Sequence, residues 1–258
     1  MKYLAALAVL LLAGCATKAP PATPAVEARP KIDYFVIDVE KAGTISGKVS
    51  LRGRPPAREA IRIDEDLACV ELNPKGMLTE TVVTGAGGAL ANVFVYVKRG
   101  LESKQFAPPP ATETVVIDQH NCRFAPRMLG LRAGQTLRVT NSDPLTHNIH
   151  PMPKMNRDWN QSQPEGAPAL ERRFVRPELM VRVKCNVHSW MRAYVNVVEH
   201  PYFAITGPDG AFELRHLPPG DYTLEALHEK LAPQEINVHV DPAGRSTVAF
   251  NLSGELAP

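Results

Sequence analysis

The chain has 258 residues, enough for one large domain or two small ones with apolar cores. Its 29 basic and 27 acidic residues nearly cancel; a net charge of +2 gives no electrostatic case for nucleic acid, and no polybasic membrane patch is present. The 17 glycines and 24 prolines point to many turns and few long helices, and four cysteines are too few for a disulfide scaffold, so each needs its own explanation.

In chain order, Met1 and Lys2 form a basic start and Tyr3 to Ala13 an apolar run. That run is too short for a stable transmembrane helix and fits a secretory leader. Its end, Leu12-Ala13-Gly14-Cys15, resembles the bacterial lipobox. The resemblance implies a lipoprotein signal peptide over 1–14, cleavage before Cys15, lipidation of its thiol and attachment to a membrane. Ala16, rather than Asp, fits sorting to the outer membrane, so the expected location is the periplasmic side of the cell envelope. Residues 15–40 read as a Pro-rich tether (Pro20, Pro21, Pro24, Pro30), which cannot build a core.

From residue 43 the apolar pattern has period two. Ile45, Val49 and Leu51 share one face of GTISGKVSL, and Val93, Val95 and Val97 alternate with Phe94 and Tyr96. Similar runs occupy 114–118, 136–141, 180–185, 193–199, 211–215, 222–227, 235–240 and 247–252. Turn triplets such as Pro208-Asp209-Gly210 and Pro242-Ala243-Gly244 separate the later ones. Short strands at this spacing predict an all-β fold of sandwiches or barrels. Residues 151–170, rich in Asn, Gln and Pro, read as helical or loose.

The segment Gly207–Leu227, GPDGAFELRHLPPGDYTLEAL, resembles the carboxypeptidase regulatory-like domain, a small transthyretin-type sandwich. Gly43-Thr44-Ile45-Ser46-Gly47-Lys48-Val49 matches the family's opening strand, and Ala89–Val97 the next. The matching D-G hairpin comes more than a hundred residues later, so the resemblance implies an insertion. Residues 41–111 and 199–258 then form one sandwich and 112–198 a second domain spliced into it, a tandem arrangement being the alternative.

Within that second segment, Cys185-Asn186-Val187-His188-Ser189-Trp190-Met191 spaces a thiolate, an imidazole and a thioether as C-x2-H-x2-M between two apolar strands. About forty residues upstream, Thr140–Asn148 ends a strand in a loop carrying His147. Two imidazoles and a thiolate with a weak axial methionine form the ligand set of a blue-copper site; Cys with two His also suits zinc. Residues 115–198 resemble the cupredoxins, amicyanin and plastocyanin most closely, through Phe124, Pro126, Leu129, Leu131, Gly134 to Val139, Asn141 and Asp143. The resemblance implies a Greek-key sandwich with one type 1 copper ion on His147, Cys185 and His188, and Met191 axial. Ser189 stands where short-loop members often have Pro, and a polar stretch from Pro151 to about Phe174 separates the ligand halves. The family also implies that electrons enter through the exposed ring edge of His188, with Trp190 in an apolar docking face.

With Cys15 and Cys185 assigned, Cys69 and Cys122 remain, and in an oxidising periplasm two leftover cysteines are expected to pair. His150, Met152 and Met155 follow the first ligand as strand and loop residues, or as soft donors for Cu(I). The sequence has no G-x-S-x-G elbow, H-E-x-x-H, P-loop, dinucleotide fingerprint or C-x-x-C-H haem site, and no enzyme is expected. The functions implied are single-electron transfer with a redox protein of the envelope, a cytochrome or oxidoreductase, or handover of Cu(I). A non-redox adhesion or spacer module is the third.

Overall fold

The period-two segments all become strands in the computed structural model, which describes residues 32–254. The leader, Cys15 and most of the tether lie outside the described residues. In chain order the elements are β1 (Gly43–Leu51), β2 (Ala60–Ile61), α1 (Leu67–Leu72), β3 (Met77–Leu78), β4 (Phe94–Arg99), β5 (Thr114–His120) and β6 (Arg123–Ala125). Then come β7 (Met128–Arg132), β8 (Thr136–Asn141), β9 (His147–Met152), β10 (Gln161–Gln163), β11 (Leu170–Arg173) and β12 (Glu178–Lys184). The last are β13 (Arg192–Val198), β14 (Phe203–Ile205), β15 (Ala211–Leu217), β16 (Gly220–Leu227), β17 (Gln234–Val240) and β18 (Arg245–Leu252). The fold is all-β.

Two sheets draw on both ends of the chain: β15-β1-β18 and β14-β4-β16-β17. Ile45, Val49, Val95, Val97, Leu224 and Phe250 meet between them in one buried core. The turn feeding β15 needs Gly210, whose φ is +68° and where a Cβ would meet the Val49 carbonyl. Two further sheets use only residues 128–198 and 114–173: β10-β9-β12-β13-β7 and β11-β8-β5-β6. Their core contains Ile117, Leu137, Val139, Val181, Val183 and Val195. The polar stretch 151–170 is neither helix nor loop throughout. β9 runs on to Met152, β10 adds an edge to β9, and β11 pairs with β8. A period-two apolar signal is absent there because edge strands bury little.

β4 reads FVYVKR with its first four residues buried, which means both faces are covered. Val95 and Val97 face the first core; Phe94 and Tyr96 join Met128 and Val198 in a seam against β7 and β13. Gly130 on β7 permits that approach, since a Cβ there would run into the Phe203 and Phe94 rings. Between β1 and β4, the chain leaves the first sandwich to form the β2–β3 ribbon and the one-and-a-half-turn α1. Asp66 caps α1 by accepting from the Ala68 and Cys69 backbone N–H groups at 3.0 and 3.3 Å. No helix was predicted here; a six-residue segment is too short for a 3.6-residue period to emerge.

Candidate metal centre

One end of the β5–β13 sandwich is polar. His147 opens β9 after the loop 142–146, which Asn141 shapes: its Nδ2 donates to the Leu145 carbonyl at 2.8 Å and its Oδ1 accepts from Asp143 N at 3.1 Å. Cys185 follows β12, and the loop to Met191 is closed by Cys185 N donating to Met191 O (3.2 Å) and Met191 N to His188 O (3.0 Å). Strand ends from two neighbouring strands, β9 and β12, therefore bring His147 to the Cys185–Met191 loop. All four side chains are buried: His147 0%, Cys185 3%, His188 2% and Met191 1% exposed.

The donor atoms converge. His147 Nδ1 lies 3.0 Å from His188 Nδ1, and Cys185 Sγ lies 3.9 Å from His188 Nδ1. The three donors all lie within 4.8 Å of one another. Atoms each about 2.0–2.3 Å from a common ion stand roughly 3–4 Å apart, so this set fits one metal ion. Each imidazole uses its outer nitrogen elsewhere. His147 Nε2 meets Asp143 Oδ2 at 2.7 Å and His188 Nε2 meets Asp66 Oδ2 at 3.0 Å. A carboxylate on Nε2 holds the proton there and turns the Nδ1 lone pair inward, as metal-binding imidazoles require. Met191 sits in the same apolar core as Cys185.

The electrostatics follow from that pairing. Burial pushes the Cys185 thiol up, but bonds from His147, His188 and the backbone N–H groups of His188 and Asn148 bring it down to about 6. The thiolate is the metal-binding form. Burial works to lower His147, yet the Asp143 bond and Cys185 hold it up at about 9. His188 is raised in the same way by Cys185 and Asp66 against burial. The His188 bond lowers Asp66, and the His147 bond with the Cys122 and Asn121 N–H groups lowers Asp143 despite its burial.

Cys69 and Cys122 are bonded at a sequence separation of 53 and tie α1 to the turn between β5 and β6. This fastens α1 over the site. Asn73 Nδ2 adds bonds to the Cys69 and Asn121 carbonyls at 3.0 and 3.2 Å. Cys69 Sγ lies 3.8 Å from His188 Nε2, and the Cys122 N–H donates to Asp143 Oδ2 at 2.7 Å. The disulfide cysteines thus reach the outer nitrogen of His188 and the carboxylate that orients His147.

One expectation is corrected. His188 has no exposed ring edge, because Asp66 and α1 cover it. Trp190 is half-buried between two apolar clusters, donates its Nε1–H to the Cys122 carbonyl at 3.1 Å, and stacks tilted 5.0 Å from the His188 ring. The exposed apolar residue of the loop is Val187. His150 stays apart from the centre, meeting Asp158 at 3.2 Å and Asn186 at 3.4 Å, and Met152 and Met155 are exposed. Asp66 was missed by sequence reasoning; its only local signal is a helix cap.

No family model matches the chain, and no curated protein matches it. Among solved structures, a copper-containing nitrite reductase from Thermus scotoductus SA-01 is similar at 17% identity and a TM-score of 0.31, over 40% of this chain. The match spans 25% of the reductase's length. A reduced mutant of amicyanin is similar at 21% identity and a TM-score of 0.30, over 34% of this chain and 84% of amicyanin. An oxidised amicyanin mutant covers 46% of this chain and 93% of its own at 16% identity and a TM-score of 0.30.

Proposed function

We propose that this chain is a cupredoxin-type electron carrier of the cell envelope, holding one copper ion on His147, Cys185, His188 and Met191. What supports this reading is a single observation: two imidazole Nδ1 atoms and a low-pKa thiolate converge in a buried pocket, each imidazole being oriented by a carboxylate. A copper ion there supplies a one-electron Cu(II)/Cu(I) couple. The protein residues do the rest. Cys185 Sγ accepts from the Asn148 and His188 backbone N–H groups, both at 3.4 Å, which holds the thiolate at one position. The rigid strands limit movement between oxidation states, and the buried apolar core excludes water. With four protein donors a copper ion there would have no open position for substrate, which favours electron carriage over catalysis.

In the same reading, residues 112–198 are the copper domain, inserted between 41–111 and 199–258 of a carboxypeptidase regulatory-like sandwich. The continuous sequence of β5–β13, set between strands that pair with each other, favours this division. Residues 1–14 direct export, Cys15 carries the lipid, and the tether holds the domains off the outer membrane, where a cytochrome or oxidoreductase exchanges electrons with the metal.

The test is the visible spectrum. Purified protein loaded with Cu(II) develops an intense blue absorption, and Cys185→Ser abolishes it while the fold, monitored by far-UV circular dichroism, persists. A colourless protein holding stoichiometric zinc after the same treatment rejects copper, and a Cys185→Ser protein that keeps its colour rejects the ligand set.

A further inference from the structure

The face through which His188 was expected to meet a partner is closed by Asp66 and α1, yet one contact with its ring leads outward. Trp190 lies 5.0 Å from the His188 ring and walls a cleft of about 360 Å3, in which Met191 also appears. The volume is that of a small-molecule site. Part of its lining is apolar and aromatic: Trp190, Phe124 and Met77. Part is cationic. Two of its arginines are neutralised, Arg127 by a buried bidentate pair with Glu229 and Arg123 by Glu80. Arg182, Arg192 and Lys230 line the same cleft, and among the described residues none of them has a carboxylate partner. Three unbalanced cations sharing a cleft with an indole make a site for an anion with a flat apolar body: the charges on the cations, the ring on Trp190.

The geometry points to the Trp190 cleft as a binding site for a small aromatic anion that exchanges single electrons with the metal through the Trp190 and His188 rings. The binding half stands on the cleft alone; the electron half rests on the copper reading above. In the reducing direction, a hydroquinone carrying a sulfonate or carboxylate gives one electron to Cu(II) and one proton to water. It leaves as the semiquinone, and the metal becomes Cu(I). No bond to the metal forms or breaks.

The copper-free protein tests the binding half. Naphthalene-2,6-disulfonate, a redox-inert dianion, is titrated while the two indole N–H signals are followed by NMR. A saturable shift of Trp190 with Trp159 unmoved is the expected result. Arg192→Glu with Lys230→Glu weakens it by at least about tenfold, through loss of two charge-assisted contacts. Equal movement of both indoles, no shift, or an equal response to hexaamminecobalt(III) overturns the site. The copper-loaded protein tests the electron half by stopped-flow bleaching of the blue band. Hydroquinone sulfonate reduces wild type faster than the double variant, whereas uncharged hydroquinone does not distinguish them. Binding without this difference overturns the electron route and leaves the copper reading intact. A protein that binds the dianion but never turns blue overturns that reading instead.

Discussion

The core shared by the β15-β1-β18 and β14-β4-β16-β17 sheets is aliphatic and aromatic, with Ile45, Val95, Leu224 and Phe250 in mutual contact. The core of the β5–β13 sandwich instead ends in Asp143, His147, Cys185 and His188, all buried. Burying ionisable groups is costly unless each has a partner. Here each has one, and one of the two carboxylates, Asp66, comes from outside the sandwich it serves. Asp66 and α1 belong to the segment between β1 and β4, whose strands build the apolar sandwich. The difference teaches that the polar end of one sandwich is completed by a covering piece from the other region, so residues 112–198 alone do not hold the whole site.

Removing the fastening of that cover is the most damaging way to break this arrangement. Cys69→Ala with Cys122→Ala opens a loop of 53 residues, and the entropic model assigns such a closure about 4 kcal/mol. Urea unfolding of the double variant should show a loss of that order, and the exchange protection of the Cys69 and Asn73 amides should fall before that of the β12–β13 strands. A loss confined to below about 1 kcal/mol would mean that the Asn73 bonds and the packing around Trp190 hold the cover without the disulfide.

The apolar sandwich has its own ionisable exception, which sharpens the comparison. His228 is 2% exposed, its Nδ1 accepts from the Lys230 N–H at 3.2 Å, and its Nε2 finds no partner. Burial, aided by the nearby Arg127, lowers it to about 4. A depressed histidine contributes stability that is complete above its unfolded value near 6.5 and lost as pH falls toward 4, because the unfolded chain binds the proton first. The loss amounts to roughly 3 kcal/mol by pH 4. Unfolding free energies measured from pH 7 to 4 should therefore fall more steeply for wild type than for His228→Gln. Parallel curves would place the acid sensitivity in the polar end or in His200, which burial likewise lowers to about 4.

The smallest effect isolates Asp66. Asp66→Ala removes the α1 cap, worth about 1 kcal/mol, and leaves His188 Nε2 without its carboxylate. Asp66→Asn keeps the cap through its one oxygen but turns an amide donor, in place of a charged acceptor, toward His188 Nε2. Comparing the two by thermal unfolding and by copper affinity separates the roles: stability should fall only in the alanine variant, affinity in both. Metal affinity unchanged in both variants would show that His188 is oriented by its own loop.

The four ligand candidates were legible because three of them share one seven-residue loop and the fourth follows a recognisable strand, so their spacing survives in one dimension. The Cys69–Cys122 pair was legible by counting. Asp66, 122 residues from His188, leaves no trace of that contact in sequence, and α1 is too short for its pattern to show. The edge strands β10 and β11 were read as loose for a related reason: they bury one residue in three or fewer, so no alternation marks them.

The sequence by itself determined the all-β class, the strand positions and the donor chemistry, because period-two burial and ligand spacing are local properties that any packing of the strands preserves. Tertiary structure alone decided that His188 is covered rather than exposed, that Trp190 stands between its ring and a cationic cleft, and that a segment between β1 and β4 closes the site of the other sandwich. Those outcomes depend on which surfaces meet across more than a hundred residues, and such meetings are set by the summed burial of both regions rather than by any short stretch of chain.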